Sequence, residues 1–291
     1  MAHGPFGLVK IIDLQNACLT SLVMVAFAAN SLLCREALVS GTIGVADFTI
    51  VRLISGASVL WLMVALTSGW RAIGGNWVSA AALFGYAACF SVAYTTLSAG
   101  TGALLLFGAV QISMISWGII RGERLTALKW LGVLSAFSGL AWLVSPGVEA
   151  PPIIGAALMI AAGVSWGVYS LRGRSSINPA EDTAGNFVRS VPFAVLLYFV
   201  PSQDTVAMSS VGFALAIASG ALASGIGYAL WYSVLPKLAA STSATVQLSV
   251  PIIAAIGGVV LLDEPLSIRL AIASAVVLGG IFIFINSGRR A

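Results

Sequence analysis

The sequence has few charged residues. Asp, Glu, Lys and Arg make up only 8% of its 291 residues, whereas 59% are hydrophobic. A soluble domain carries roughly 25% charged residues, so too few are present here to cover a surface in water. The chain is therefore predicted to lie in a lipid bilayer.

Histidine is almost absent, and His3 is the only one. This excludes most histidine-based metal sites and Ser/His/Asp triads. The apolar runs contain neither HExxH nor paired carboxylates, and no stretch completes the GxxxxGK[ST] phosphate loop. The basic residues form no basic face. We therefore predict no metal, no cofactor, no nucleic-acid partner and no enzymatic activity, and we expect only lipid and a small-molecule substrate as partners.

Long hydrophobic runs dominate the chain. Each is near the roughly 20 residues that a helix needs to cross a bilayer. They cover residues 14–34, 46–67, 77–97, 99–120 and 127–144, then, after a Pro-rich break, residues 153–171, 183–200, 209–233, 240–262 and 267–285. Backbone groups in lipid must be paired within the protein, which favours helices. The predicted fold is an all-α polytopic membrane protein with ten transmembrane helices.

The basic residues are distributed unevenly among the loops. Of the 14 Lys and Arg residues, only Arg35 and Arg269 fall in loops opposite the N terminus. By the positive-inside rule both termini lie in the cytoplasm. Arg52 and Arg189 lie inside apolar runs, toward their ends. We expect them to snorkel or to bind loop carbonyls rather than to bind substrate.

A short motif occurs twice. Gly122-Glu123-Arg124-Leu125 precedes the fifth apolar run, and Asp263-Glu264-Pro265-Leu266 precedes the tenth. The first half is predicted to cover residues 14–144 and the second residues 153–286. Because each half has an odd number of spans, the second copy enters the membrane from the opposite side, so the repeats are inverted. The two motifs then lie on opposite surfaces, and any shared site lies between the halves.

Two five-helix units, an Arg early in the second span and a Glu-bearing loop before the fifth together resemble the EamA-type drug/metabolite transporters. The resemblance covers about residues 14 to 286 and is strongest to exporters of aromatic amino acids. It implies a multi-pass secondary transporter of the inner (plasma) membrane that exports aromatic and other neutral amino acids from the cytoplasm by alternating access through a midplane cavity. The alternative is export of a different small molecule by a member of the same superfamily.

Polar and aromatic side chains within the spans are the candidate substrate-binding residues. Amide and hydroxyl groups suit the polar ends of an amino acid, and rings suit an aromatic side chain or an ammonium group. The alternatives are interhelical hydrogen bonds and ordinary core packing. The candidates are Asn30, Tyr86, Phe90, Tyr94, Phe107, Gln111, Ser165, Trp166, Tyr169, Tyr228, Trp231 and Gln247, with Ser31 as a further position that lines the cavity.

No acidic residue falls at the predicted centre of a span, so the carboxylate of a proton relay is not evident. Facilitated transport or exchange is therefore as well supported as proton coupling. A passive channel would need polar stripes along its pore helices. The sequence does not define the coupling ion or the oligomeric state.

Overall fold

The computed structural model describes residues 5–70, 73–174, 176–199, 206–234, 238 and 246–287, with side chains from residue 14 onward. Secondary structure in these ranges is helical, with no strand. The helices are α1 (Pro5–Val39), α2 (Val45–Thr67), α3 (Trp77–Tyr94), α4 (Ala99–Ile120), α5 (Ala127–Val144), α6 (Ile153–Gly173), α7 (Pro179–Ala194), α8 (Ser210–Val234), α9 (Ser249–Leu261) and α10 (Ile268–Ser287).

Eight of these helices, all except α7 and α9, are long and apolar enough to cross a membrane. Helix α7 has 16 residues and leads into a 3₁₀ turn, Val195–Phe199. The described part of α9 has 13 residues, and the predicted start of its span falls in 239–245, outside the described residues. The chain is thus an all-helical polytopic membrane protein, whereas the count of ten spans stays a prediction.

Two helices begin earlier than predicted because their first turns are not continuously apolar. Helix α1 begins at Pro5 instead of residue 14, and α7 begins at Pro179 instead of residue 183. Proline is favoured in the first turn of a helix, and the acidic Glu181 and Asp182 suit its positive end. Hydropathy alone marks where a helix lies in lipid rather than where it starts.

Polar caps define several other helix starts. The side chains of Asn76, Ser98, Thr126 and Ser209 each accept a hydrogen bond from the backbone N–H three residues further on. The Ser267 hydroxyl accepts from the Leu270 N–H at 3.0 Å in the same way. Such caps pair N–H groups that have no partner within the helix.

The two Glu motifs close similar turns of different length. The N–H of Glu123 donates to the Gly118 carbonyl five residues earlier, and that of Glu264 to the Gly258 carbonyl six residues earlier, both at 3.0 Å. The preceding residues, Gly122 (φ 91°) and Asp263 (φ 51°), are both left-handed. Glycine adopts this conformation readily, whereas Asp is among the few other residues that tolerate it.

The packing of the helices is preserved when each helix is exchanged for its counterpart in the other half, α1 for α6, α2 for α7 and so on to α5 for α10. Helix α5 packs on α10 and α2 on α7. Helices α3 and α4 pack on α6, just as α8 and α9 pack on α1, and α4 also packs on α9. Glycines allow the closest approach between α5 and α10, where a Cβ at Gly132 would lie 2.6 Å from the Gly280 carbonyl oxygen.

Arg269, at the start of α10, binds the C-terminal end of α5. It is 8% exposed, and its guanidinium donates to the carbonyls of Trp142 (2.6 Å), Leu143 (3.0 Å) and Val148 (3.1 Å) and to the carbonyl of Ser145. These carbonyls lie at or beyond the last turn of α5, where backbone acceptors lack helical partners. The charge of Arg269 is therefore surrounded by oppositely polarised groups.

Candidate functional site

A small cavity lies among α1, α3, α4, α6 and α8. Its volume, taken as the space open to the centre of a water molecule, is about 20 Å³. That is room for one or two waters. The lining side chains come from both predicted halves of the chain. They are Phe27, Asn30, Ser31, Tyr86, Phe90, Leu106, Phe107, Trp166 and Tyr228.

Aromatic rings form most of the wall. The Trp166 ring lies 5.0 Å from the Tyr86 ring and 5.0 Å from the Tyr228 ring, centroid to centroid. Phe27 contacts Tyr228 edge-on at 5.8 Å, and Phe90 lies 5.3 Å from Tyr86. The cavity is thus enclosed by ring faces and edges that suit another ring or a cation.

A polar network closes one side of the cavity. Asn30 Nδ2 donates to the Tyr86 hydroxyl at 3.1 Å, and Asn30 Oδ1 accepts from the Ser219 hydroxyl at 2.6 Å. Ser219 belongs to a π-helical segment of α8, Ala218–Ile226. Such segments often occur at functional sites because they redirect side chains within a helix. Here the segment brings Ser219 onto Asn30 of α1.

Arg52 is the one charged side chain in this network. It is 1% exposed and its Nη2 donates to the Tyr86 hydroxyl at 2.9 Å. Its guanidinium carbon lies 4.8 Å from the Phe90 ring centroid and 5.2 Å from that of Tyr86. In the described part of the chain Nη1 has no hydrogen-bond partner. The contacts of its guanidinium there are the Tyr86 hydroxyl and the two rings, with no carboxylate among them.

The second intramembrane arginine differs. Arg189 Nη1 donates to the Gly74 carbonyl at 2.6 Å and to the Gly185 carbonyl at 3.0 Å. It therefore has the loop-binding role that we expected for both arginines. For Arg52 that expectation was wrong, because its hydrogen bond goes to the side chain of Tyr86 in the cavity wall.

A second, more polar cavity of about 30 Å³ lies near the predicted cytoplasmic ends of α3, α6, α7 and α8. Its lining includes Tyr169, Arg172, Asp182 and Tyr232. The Tyr169 ring lies 5.4 Å from that of Trp166. A single layer of rings thus separates the polar cavity from the aromatic one.

Six of the predicted binding residues line the aromatic cavity: Asn30, Tyr86, Phe90, Phe107, Trp166 and Tyr228. Ser31 lines it as well. Tyr169 lines the polar cavity instead. Substrate binding by any of these residues stays a prediction.

The remaining predicted residues lie elsewhere. The Tyr94 ring packs on Phe90 at 4.7 Å, and its hydroxyl donates to the Ala99 carbonyl. Trp231 contacts Phe27 from outside the lining, at 6.1 Å. Gln111 is 7% exposed, one turn beyond Phe107, and also lies outside the lining. The last two candidates are not part of the wall either. Ser165 packs near Gly85, and Gln247 lies close to the undescribed residues 239–245.

Four residues were not predicted as part of this site. Phe27 and Leu106 line the cavity, and Ser219 and Arg52 contact the lining residues from behind. Phe27 could have been found by helical spacing, since it precedes Asn30 and Ser31 by three and four residues. Arg52 carried a signal too, because it is a charge within an apolar run. Ser219 had none, because its position depends on the π-helical segment.

Known proteins with similar sequences or folds are as follows. Residues 153–286 match the model of the EamA-like transporter family. An uncharacterized protein of Pseudomonas aeruginosa is 50% identical over 94% of this chain and 95% of its own length. An uncharacterized transporter of Archaeoglobus fulgidus is 30% identical over 65% of this chain and 69% of its own length. A crystal structure with 22% identity aligns with 93% of this chain and 99% of its own, with a TM-score of 0.65, and supports the fold alone.

Proposed function

This chain belongs to the EamA-like transporter family, and we propose that it exports aromatic and other neutral amino acids from the cytoplasm. Transport would proceed by alternating access, with the substrate held in the aromatic cavity. Membership of this family by itself makes the protein a multi-pass membrane transporter of the drug/metabolite superfamily.

The aromatic cavity is the observation that carries this proposal. Its wall contains four rings from the first predicted half and two from the second, with Asn30 and Ser31 as polar groups. An aromatic amino acid offers a ring for stacking and a polar end for hydrogen bonds. Inverted-repeat transporters bind substrate between their halves, near the middle of the membrane.

Two local features support inverted halves. Each Glu motif has a left-handed residue before the Glu and a hydrogen bond from the Glu N–H to a glycine carbonyl. The helix contacts are also preserved when each helix is exchanged for its counterpart in the other half. Contacts of that kind arise when two similar units pack face to face across a pseudo-two-fold axis.

The size of the cavity supports a moving carrier. Sites that enclose small ligands usually measure about 300 Å³ or more, whereas this one holds one or two waters. An amino acid therefore enters only if the surrounding helices move apart. The polar cavity beyond Trp166 and Tyr169 is a suitable entrance from the predicted cytoplasmic side.

The predicted outer surface is tied together by Glu264. Its Oε1 accepts from Arg35 Nε of α1 at 2.8 Å, and its Oε2 accepts from the Ala99 N–H at the start of α4, also at 2.8 Å. Glu264 thus joins its own loop to two helices of the other predicted half. The matching Glu123 instead pairs with Lys129 of its own half at 3.1 Å and is 51% exposed. This difference supports a state that is closed on the outer side.

Counterflow into liposomes that contain the purified protein tests the function. Vesicles loaded with unlabelled tryptophan should accumulate labelled tryptophan, and leucine should compete. The Trp166→Ala variant should lose most of this uptake at unchanged reconstitution, because Trp166 contacts both tyrosines of the wall.

The lipid-facing Trp130→Ala variant is the matched control, since Trp130 is 45% exposed on α5, away from the cavity. Absence of counterflow with every neutral amino acid would refute the proposal. Accumulation of a different aromatic metabolite or drug under the same conditions would favour the alternative substrate class. Abolishing the pH gradient should leave the flux unchanged if transport is facilitated or by exchange.

A further inference from the structure

Arg52 is a buried charge whose environment does not balance it. Moving a guanidinium out of water is costly unless hydrogen bonds and an opposite charge replace its hydration. Two ring contacts and one hydrogen bond are what Arg52 has in the described chain. Cation–π contacts recover only a small part of such a cost.

Arg269 shows what a balanced buried arginine looks like in the same protein. Its three guanidinium nitrogens all donate, to four backbone carbonyls in total. Arg52 in contrast leaves Nη1 unpaired among the described residues, with less than 1 Å² of that atom exposed. The difference indicates that Arg52 serves something other than the fold.

The position of Arg52 indicates what it serves. Its guanidinium lies against Tyr86 and Phe90, which both line the aromatic cavity. The Tyr86 oxygen already accepts from Asn30 and Arg52, so its own O–H is left to act as a donor, and the Tyr228 hydroxyl is its neighbour. The guanidinium lies against the wall residues Tyr86 and Phe90 and is not itself part of the lining. When the helices move apart, Nη1 and the Tyr86 O–H would offer two donors, which is the complement of a carboxylate.

We propose that Arg52 binds the carboxylate of the transported molecule, so that the substrates of this site are aromatic or apolar carboxylates whose amino group is dispensable. The inference rests on the proposed function and names the group by which the substrate is held. No Asp or Glu is among the described residues that line the cavity. An ammonium group therefore meets only ring faces and neutral oxygens, whereas a carboxylate meets a full positive charge.

Three probes separate these groups. Phenylalanine has a carboxylate and an ammonium group, 3-phenylpropionate has the carboxylate alone, and phenylalanine amide has the ammonium alone. We expect the first two to raise the melting temperature of the purified protein in detergent, and the amide to leave it unchanged. Equal stabilisation by the amide would overturn the proposal, and so would full stabilisation by sodium chloride, because an inorganic anion would then account for the charge.

The Arg52→Gln variant tests the residue. The half-saturating concentration of 3-phenylpropionate should rise by about 10- to 100-fold, as expected for the loss of one charge-assisted hydrogen bond. The Arg121→Gln variant is the matched control, since it removes an arginine that contacts Trp117 at the end of α4. Unchanged affinity in Arg52→Gln would overturn the proposal.

Stability without ligand gives an independent readout. Arg52→Gln should melt at or above the wild-type temperature, because it removes an unbalanced buried charge, whereas Arg269→Met should melt lower. A drop in Arg52→Gln as large as that in Arg269→Met would mean a structural role and overturn the proposal. If Arg52→Gln does not fold, the Arg52→Lys variant is tested instead. Equal affinity of Arg52→Lys for 3-phenylpropionate and for phenylalanine amide would then contradict the proposal.

The two proposals fail separately. If 3-phenylpropionate binds through Arg52 but no amino acid is exchanged in liposomes, the proposed function is wrong and the carboxylate site stands. If tryptophan counterflow is equal in wild type and in Arg52→Gln, the function stands and the carboxylate site is wrong.

Discussion

Replacing Tyr86 with phenylalanine removes one oxygen and keeps the ring. That oxygen accepts hydrogen bonds from Asn30 at 3.1 Å and from Arg52 at 2.9 Å, and all three side chains are at most 5% exposed. Two buried donors, one of them charged, therefore lose their acceptor in the variant. No water is available in the closed wall to replace it, apart from the one or two that the cavity holds.

The magnitude follows from the two bonds. A neutral hydrogen bond contributes about 1 kcal/mol and one to a charged group about 1.5–3 kcal/mol in soluble proteins. Interhelical bonds in membranes average only about 0.6 kcal/mol, with a maximum of about 1.7. We therefore expect Tyr86→Phe to lower the free energy of unfolding by about 2 kcal/mol. Counterflow of tryptophan should fall as well, because Tyr86 lines the cavity.

Tyr94→Phe is the control, two turns further along the same helix. Its hydroxyl donates one long bond, 3.3 Å to the Ala99 carbonyl, and has the neutral Ser31 hydroxyl as a further neighbour, so the expected loss is about 0.5–1 kcal/mol. Denaturant unfolding in mixed micelles measures both variants. A second variant, Tyr86→Phe with Arg52→Met, should recover about half of the Tyr86→Phe loss, because it also removes the unpaired charge. Equal stability of Tyr86→Phe and wild type would refute the importance of this network.

Two further changes test the outer closure and the helix packing. Glu264→Gln removes the ion pair with Arg35 and weakens the bond to α4. In a variant whose only cysteine is Cys34, which is 0% exposed in α1, that thiol should then react faster with a reagent added outside. Glu123→Gln should leave the reaction rate unchanged, and equal rates in the two variants would contradict the closure. Gly132→Val should lower the free energy of unfolding by about 1–3 kcal/mol, because its Cβ would meet the backbone of α10. Gly279→Val should lower it little, since a Cβ there meets nothing within 4 Å. Equal melting temperatures of the two glycine variants would contradict the packing argument.

Several helices could be predicted from hydropathy almost to the residue. The run 127–144 coincides with α5, and the run 99–120 with α4. Lipid imposes a minimum apolar length, and the polar residues Ser98 and Thr126 cap the helices directly before the runs. Where a helix continues past the end of its apolar run, as α1 does before residue 14, hydropathy has no information about where the helix begins.

The rotation of each helix was harder to predict. Apolar residues surround these helices on all sides, so periodicity does not identify the inner face. Spacing by four grouped Tyr86, Phe90 and Tyr94. The first two line the cavity, whereas Tyr94 packs on Phe90 outside the lining. Gln111 was predicted from its polarity and lies on the same face of α4 as Phe107 but one turn further along, where the cavity has ended.

The two intramembrane arginines show a second limit. Arg52 and Arg189 lie at similar places early in the second helix of each predicted half, which suggested one role for both. The structure gives them different partners, backbone carbonyls for Arg189 and a tyrosine hydroxyl for Arg52. Similar position in a repeat predicts similar backbone geometry, but the partners of a long side chain depend on residues from other helices.

An unbalanced Arg52 also predicts how the transporter cycles. A carboxylate substrate would neutralise the buried charge, whereas an empty carrier must change conformation with that charge unpaired, at a higher barrier. Exchange of labelled for unlabelled tryptophan should then be faster than net efflux into substrate-free buffer. In Arg52→Gln the empty carrier no longer carries the charge, so the ratio of exchange to net efflux should fall toward one even though binding is weaker. Flux measured at saturating tryptophan on both sides, and then with the outer side empty, gives this ratio. A ratio that is the same in wild type and Arg52→Gln would contradict the link between this charge and the return step.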